Sequence, residues 1–217
     1  SNPTGGMTSE QELKKTFDLA VKYNLWLISD EIYARIVYKP AINFFSVSSL
    51  DKCRERVILI NGFSKAYAMT GWRIGVVTAP DYLTEKMSLL LEATVSCVPG
   101  FIQEAAAAAL EITEEPWSEM VLIYKRRRDL LVNGLNSICG FKCTLPKGAF
   151  YAFPNITHTG MTDEEITFVL LKECGIAVTP GSYFGENGKQ HIRLSYVLSE
   201  EDIVVAIKRM ADRFGLK

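Results

Sequence analysis

The chain has 217 residues, of which 48% are hydrophobic and 23% are charged, and its formal net charge at pH 7 is -1. This balance is that of a globular protein with one large domain or two small ones. It excludes a strong electrostatic attraction to nucleic acid or to a membrane surface, and no apolar run reaches the roughly 18 residues that predict a membrane-spanning helix.

The first third of the chain predicts one helix and three short strands. Thr8 and Gln11 have the spacing of a capping box, and apolar residues recur at helical spacing behind them, so we expect a helix over residues 8–24. The apolar runs that predict strands are LWLIS at 25–29, VILIN at 57–61 and RIGVVTA at 73–79. The first of these runs is typical of a strand that is buried on both faces.

Connection lengths predict how these strands pair. The long connection between the first two strands is sufficient for a parallel crossover, whereas residues 62–72 are too few for one, so we expect the third strand to be antiparallel. Asp30, Lys65 and Arg73 then lie at the same edge of the sheet. Open α/β sheets bind their ligands at that edge.

The rest of the chain alternates helices and strands. Helices are expected at 82–96, 101–113, 117–137, 162–174 and 199–214. A pair of strands around a turn at 146–148 is expected within 141–153, and single strands at 176–180 and 191–196. The basic run KRRRD at 125–129 lies in a helical pattern, and we interpret it as a solvated helix face rather than a nucleic-acid site. We therefore expect a first domain over 1–95 and, over 96–217, a connecting helix with a smaller α+β domain.

The cysteines are odd in number and irregularly spaced: Cys53, Cys97, Cys139, Cys143 and Cys174. Zinc binding has weak support, because only His158 and His191 could join Cys139 and Cys143 as ligands. We interpret the cysteines as buried free thiols in a reducing compartment and expect a cytoplasmic protein.

Six residues are expected at the ligand-binding edge: Asn2, Asp30, Tyr33, Ser64, Lys65 and Arg73. The hydroxyl of Ser64 and the guanidinium of Arg73 suit a phosphate. Lys65, among small, aromatic and apolar neighbours, can attack a carbonyl and form a Schiff base. Asp30 can pair with a cationic ring nitrogen. A phosphate, an aldehyde and a pyridinium together describe pyridoxal phosphate.

Four motifs resemble those of the class I/II aminotransferases, the fold-type-I enzymes that use pyridoxal phosphate. They are SNPTG at 1–5, SDEIY at 29–33, FSKAYAMTGWRIG at 63–75 and HIRLSY at 191–196, in the order and spacing of the family. The resemblance covers the whole chain. It implies the C-terminal part of that α/β fold, with a partial, mostly parallel sheet of the large domain and a smaller α+β domain.

The resemblance also implies a function and a set of roles. The function is to move an amino group between an L-amino acid and a 2-oxo acid, by an enzyme that is a homodimer at full length. Lys65 would carry the cofactor and move the substrate α-proton, and Asp30 would keep the ring nitrogen protonated. Ser64 and Arg73 would bind the phosphate, and Arg193 would bind the substrate carboxylate. Asn2 and Tyr33 would contact the phenolic oxygen of the ring. Tyr33 would also be a catalytic residue, together with Lys65.

Arg193 also has support from its own strand pattern. Ile192, Leu194 and Tyr196 alternate with it, which places its guanidinium on the face opposite the apolar one. Structural interpretations stay open for every site residue. They are a surface lysine for Lys65, a turn for Asn2 and Ser64, a cap for Asp30, a packed aromatic for Tyr33, and ion pairs for Arg73 and Arg193. We interpret Tyr183 as a loop-packing aromatic rather than a substrate contact.

The family pattern begins upstream of SNPTG, so we expect the chain to be a C-terminal portion of such an enzyme. The strand at 25–29 would then expose an unpaired edge. Two alternatives to the aminotransferase remain. They are a C–S β-lyase on the same fold, which would release ammonia and pyruvate, and a fragment without catalytic activity.

Overall fold

The computed structural model describes residues 1–38, 44–112 and 115–217. The chain forms two compact units, which we call unit I, Thr8–Ser118, and unit II, Ser1–Met7 with Glu119–Lys217. The division into domains over 1–95 and 96–217 stays a prediction. Within the described ranges, none of the helices combines the length and the apolar character that crossing a membrane requires.

Unit I begins with helix α1, Glu10–Lys22, which is capped one residue later than predicted. The hydroxyl of Ser9 accepts a hydrogen bond from the N–H of Glu12, and the Glu12 carboxylate accepts one from the N–H of Ser9 at 2.8 Å. The capping box predicted at Thr8 and Gln11 is therefore wrong. A carboxylate is a stronger acceptor for an unpaired helix N–H group than the neutral amide of Gln11.

The sheet of unit I has strands β1 (Leu27–Asp30), β2 (Val57–Gly62) and β3 (Gly75–Thr78), in the order β1-β2-β3. β1 is parallel to β2, and β3 is antiparallel to β2, so both predicted pairings are confirmed. β1 lies at an edge of the described sheet. The prediction that it is buried on both faces is wrong, since Ile28 is 64% exposed. Apolar composition does not specify which layers cover a strand.

Two helices complete unit I: α2 (Asp81–Val95) and α3 (Gly100–Glu111). The predicted end of α3, Thr113, lies outside the described residues. Buried alanines of α3, Ala106 and Ala109, pack in one cluster with Phe63 and Met69. Phe63 and Met69 belong to the connection between β2 and β3, so this connection packs against α3.

Unit II is an α+β unit. Its elements are α4 (Ser118–Ser137, whose first residue belongs to unit I), β4 (Tyr151–Ala152), α5 (Asp163–Cys174), β5 (Thr179–Pro180), β6 (Ile192–Ser195) and α6 (Glu200–Phe214). The sheet has the order β4-β6-β5, with β6 antiparallel to both neighbours. Only one arm of the strand pair predicted within 141–153 forms a strand. The other arm is reduced to a bridge between Lys142 and Asn155.

The buried core of unit II confirms the alternating pattern of β6. Ile192, Leu194 and Tyr196 are buried, whereas Arg193 between them is only half-buried. The solvated-face interpretation of the run at 125–129 is wrong for Arg128, which is 6% exposed.

All five cysteines are free thiols, but the interpretation that they are buried holds for only two of them. Cys143 and Cys174 are buried, whereas the other three are exposed: Cys53, Cys97 and Cys139. Burial raises the pKa of the Cys143 thiol to about 11, so this group is a packed thiol rather than a reactive one.

Candidate active site

The carboxyl ends of β1 and β2 lie side by side in unit I. Asp30, the last residue of β1, pairs with Ile60 in the parallel register, and β2 ends two residues later at Gly62. Lys65 follows Gly62 after two intervening residues. Asp30 and Lys65 therefore lie just beyond the ends of adjacent parallel strands, at the edge where ligands bind in α/β sheets.

Arg73 reaches the same edge from the other direction. Gly62 pairs with Gly75 across the antiparallel pair, so the chain that precedes β3 lies beside the chain that follows β2. Arg73 has a left-handed backbone (φ 54°), and its Nη1 donates a hydrogen bond to the carbonyl of Thr70 at 3.0 Å. Within the described ranges no ion pair involves Arg73, and its exposed guanidinium retains further N–H donors.

The connection from β2 to β3 is a fixed loop. The carbonyl of Phe63 accepts hydrogen bonds from the N–H groups of Tyr67 and Met69, and the hydroxyl of Thr70 donates to the carbonyl of Ser64 at 3.0 Å. Ser64 and the adjacent Lys65 are half-buried, while Phe63 and Met69 anchor the loop in the α3 cluster. These contacts thus fix the backbone of the loop at Ser64 and Lys65.

Asp30 also has a structural role. Its Oδ1 atom accepts a hydrogen bond from the N–H of Ile32 at 3.1 Å, which is the cap that the sequence left open as an alternative. The carboxylate is otherwise exposed. The next residue, Glu31, is buried and accepts hydrogen bonds from the hydroxyls of Ser29 and Ser46, at 3.0 and 2.8 Å. Glu31 therefore ties β1 to the chain before β2, and Tyr33 beyond it is half-buried.

Four contacts hold the side chain of Arg193 in unit II. Its guanidinium donates hydrogen bonds to Asn2 Oδ1 at 3.0 Å and to Thr179 Oγ1 at 3.1 Å. Its Cζ atom also lies over two aromatic rings, 4.9 Å from the ring centroid of Tyr151 and 5.0 Å from that of Phe184. No ion pair of Arg193 occurs in the described part of the chain. A held but unneutralised guanidinium is suited to bind a carboxylate.

Sequence reasoning missed three of these partners: Thr179, Tyr151 and Phe184. Thr179 meets Arg193 only because the two residues pair in the β5–β6 register, which no local pattern reveals. Phe184 is the aromatic that packs, whereas Tyr183 is 73% exposed, so the loop-packing interpretation of Tyr183 is wrong.

The loop that carries Phe184 is anchored by Asp163, the first residue of α5. This carboxyl group is 5% exposed, and its Oδ2 atom accepts a hydrogen bond from the N–H of Ser182 at 2.7 Å. Burial alone would raise the pKa of Asp163, but hydrogen bonds from Ser182 and from the backbone of Gln190 outweigh it and hold the pKa below its usual value. The carboxylate is therefore charged at neutral pH and fixes the loop.

The predicted site residues thus fall into two groups, each within one unit. Unit I holds the residues expected to bind the ring, the aldehyde and the phosphate: Asp30, Tyr33, Ser64, Lys65 and Arg73. Unit II brings Asn2 and Arg193 together. The binding roles of all seven residues stay predictions.

Residues 1–210 match the family model of aminotransferases of class I and II. The chain belongs to this family. It is 42% identical over 213 residues to "Aromatic-amino-acid aminotransferase 2" of Thermococcus litoralis and 43% identical over 212 residues to an aspartate aminotransferase of Pyrococcus abyssi. These alignments cover 97% and 96% of this chain, and 54% of each relative.

A solved structure has the same fold. The aromatic aminotransferase from Pyrococcus horikoshii is 41% identical and superposes with a TM-score of 0.93, over 98% of this chain and 57% of that one. The α/β fold of the fold-type-I aminotransferases is therefore confirmed. The chain spans about half the length of the relatives it matches. Class I/II aminotransferases depend on pyridoxal phosphate.

Unit I has the chemical groups that this cofactor needs. The amine of Lys65 matches an aldehyde, and the carboxylate of Asp30 matches a pyridinium nitrogen. The hydroxyl of Ser64 and the exposed guanidinium of Arg73 match a phosphate. The residues present therefore fit pyridoxal phosphate.

Proposed function

We propose that this protein moves an amino group between an L-amino acid and a 2-oxo acid with pyridoxal phosphate as its cofactor. One observation carries the proposal: the register of β1, β2 and β3 brings Asp30, Lys65 and Arg73 to a single edge of the sheet. These are the three kinds of group that a pyridinium, an aldehyde and a phosphate require. Membership in the aminotransferase family supports the same reaction.

Lys65 is the residue that we propose takes part directly in the reaction. Pyridoxal phosphate, when bound, supplies an aldehyde that condenses with amines and a ring that accepts the electrons of the substrate Cα–H bond. The Lys65 amine would hold the cofactor through its aldehyde and would carry the proton from the substrate Cα. Asp30 would pair with the ring nitrogen and keep it protonated.

The other site residues hold and orient the cofactor and the substrate. Ser64 and Arg73 bind the phosphate, with Arg73 already fixed through the carbonyl of Thr70. Arg193 is proposed to bind the α-carboxylate of the substrate. Asn2 belongs to the family motif SNPTG and Tyr33 to the family motif SDEIY. Their assignment to the phenolic oxygen rests on these motifs.

We further propose that the protein functions in the cytoplasm and as a homodimer at full length. The five free thiols support a reducing compartment, since disulfides are rare there. The homodimer rests on the family resemblance alone. Amino acids and 2-oxo acids are the proposed partners, and the expectation of no nucleic-acid or membrane partner stays a prediction.

Covalent trapping tests the cofactor site. The purified protein is incubated with pyridoxal phosphate, reduced with borohydride, digested and analysed by mass spectrometry. We expect the cofactor mass on the peptide that contains Lys65, and we expect Lys65→Ala to abolish both this mass and the visible absorbance. Lys52→Ala, at an exposed lysine of the same unit, is the matched control and should retain both. A wild-type protein that takes up no cofactor would contradict the proposal.

A product assay tests the reaction. A panel of L-amino acids is supplied with a 2-oxo acid, and the new amino acid is measured. Release of ammonia and pyruvate from a sulfur-containing substrate, without transfer to the oxo acid, would instead identify a β-lyase.

A further inference from the structure

Residues 146–148, which bend at Lys147 and which we call the turn 146–148, hold the N-terminal segment of the chain in unit II. The N–H groups of Lys147 and Gly148 donate hydrogen bonds to the carbonyl of Gly5 at 2.8 and 3.0 Å. Gly5 is buried with a left-handed backbone (φ 63°), and a Cβ there would lie 2.5 Å from the Cβ of Pro146. The segment therefore fits this turn only with glycine at position 5.

Gly5 in turn fixes Asn2. Its N–H donates a hydrogen bond to the carbonyl of Ser1 at 2.9 Å, which closes the backbone around Asn2. The Asn2 side chain then meets the guanidinium of Arg193. One partner in the Asn2–Arg193 pair is thus positioned by the turn 146–148.

The residues that follow the turn hold the other partner. The hydroxyl of Tyr196 donates to the carbonyl of Ala149 at 3.3 Å, and its N–H donates to the carbonyl of Phe150 at 3.1 Å. Tyr196 immediately follows β6, which carries Arg193. The segment 146–150 therefore contacts the supports of both Asn2 and Arg193.

Arg128 of α4 anchors this segment. Its guanidinium is almost completely buried, and Nη1 donates a hydrogen bond to the carbonyl of Pro146 at 2.9 Å. Nε donates to Oδ1 of Asp129 at 2.8 Å. A buried charge is costly unless its donors are satisfied, so the geometry of this contact is strongly constrained.

We propose that Arg128 is a positioning residue for the carboxylate site. It fixes the carbonyl of Pro146, and through the segment 146–150 it sets the placement of Asn2 and Arg193. This inference rests on the proposed function, in which Arg193 binds the substrate carboxylate. Arg128 acts through other residues and is not itself catalytic.

The test measures carboxylate affinity rather than turnover. Succinate and 3-phenylpropionate are titrated calorimetrically into the cofactor-loaded protein, so that the result does not depend on one side-chain specificity. Arg128→Met should weaken carboxylate binding by about 10-fold or more, because a displaced Arg193 guanidinium loses a charge-assisted hydrogen bond to the carboxylate. Arg126→Met, at the exposed Arg126 of the same helix that pairs with Glu200, should stay within about twofold.

Arg193→Lys separates this inference from the proposed function. If Arg193→Lys binds as tightly as the wild type, or the wild type binds neither acid, the proposed function fails. If Arg193→Lys weakens binding but Arg128→Met does not, the function stands and the positioning role of Arg128 is overturned.

Two further variants exclude a general loss of structure. In an Asn2→Ala background, the effect of Arg128→Met should shrink, since both changes disturb one arrangement; additive effects would overturn the positioning role. Gly5→Ala disrupts the same connection without changing Arg128, and it serves if Arg128→Met does not fold. It should weaken binding by about 10-fold as well, and wild-type affinity in Gly5→Ala would overturn the proposal.

Discussion

The guanidinium of Arg193 donates a hydrogen bond to the Oδ1 atom of Asn2 at 3.0 Å, across 191 residues of sequence. Because a guanidinium can only donate, this contact fixes the amide of Asn2 with its oxygen toward Arg193 and leaves its NH2 group as a donor. A phenolic oxygen needs such a donor. Asn2 can therefore hold Arg193 through its oxygen and keep its NH2 group as the donor that we propose for the phenolic oxygen.

Removing the second acceptor of Arg193 should weaken substrate binding. Thr179 Oγ1 accepts a hydrogen bond from Nη2 of Arg193 at 3.1 Å, and Thr179→Val removes this oxygen with little change in shape. We expect the KM for the amino donor to rise by about 3- to 10-fold, the value of one hydrogen bond, with a smaller change in kcat. Steady-state kinetics of the loaded protein measures this. Thr144→Val, at an exposed threonine of the same unit, is the control, and an equal rise in both variants would contradict the role of Thr179.

Asp30→Asn should separate the cap of Asp30 from its chemistry. An asparagine oxygen can still accept the hydrogen bond from the N–H of Ile32, so the urea midpoint should stay near that of the wild type. The substitution removes the charge that we propose keeps the ring nitrogen protonated, so transamination should fall by about 100-fold or more. Asp30→Ala loses the cap as well and should also be less stable. Wild-type activity in Asp30→Asn would leave Asp30 with only its structural role.

Local signals predicted most of the element order. Helix α5 is an example: Thr162 and Glu165 form a capping box at its N-terminus, and Gly175 ends it in the left-handed conformation. Connection length was sufficient to predict the antiparallel direction of β3. The capping box of α1 failed because Thr8 and Ser9 offer overlapping patterns, which only the folded backbone distinguishes.

Long-range contacts could not be predicted in the same way. Arg128 reads as an exposed helical arginine because its acceptor, the carbonyl of Pro146, belongs to a different element. Arg193 was found as a candidate from its strand pattern and its motif. Its partners Thr179 and Phe184 depend on strand register and on the path of a loop, neither of which the sequence displays.

Asp163 should make the stability of unit II depend on pH in the acidic range. Its pKa is held below the usual value in the folded protein, so its charged form stabilises the fold above the unfolded pKa of about 3.9, and this contribution is lost as pH falls through the folded value. The urea midpoint of the wild type should therefore fall more steeply than that of Asp163→Asn between about pH 5 and pH 2. Glu164→Gln, at the exposed next residue, should follow the wild type. Parallel curves for wild type and Asp163→Asn would refute the role of this carboxylate.

Gly181 and Gly188 close the base of the loop that carries Phe184, and neither should tolerate a side chain. A Cβ on Gly181 would lie 2.1 Å from the carbonyl oxygen of Gly188, so the backbone itself must move. We expect Gly181→Ala to lower the free energy of unfolding by about 1–3 kcal/mol and, by displacing Phe184 from Arg193, to weaken carboxylate binding.

Gly100→Ala is the matched control for that substitution. A Cβ on Gly100, the first residue of α3, would meet nothing within 4 Å, and alanine favours the helix by up to about 1 kcal/mol. Urea unfolding of the two variants should therefore shift in opposite directions from the wild type. If Gly181→Ala unfolds at the wild-type urea concentration and binds succinate or 3-phenylpropionate as the wild type does, the close approach of the two glycines does not position Phe184 against Arg193.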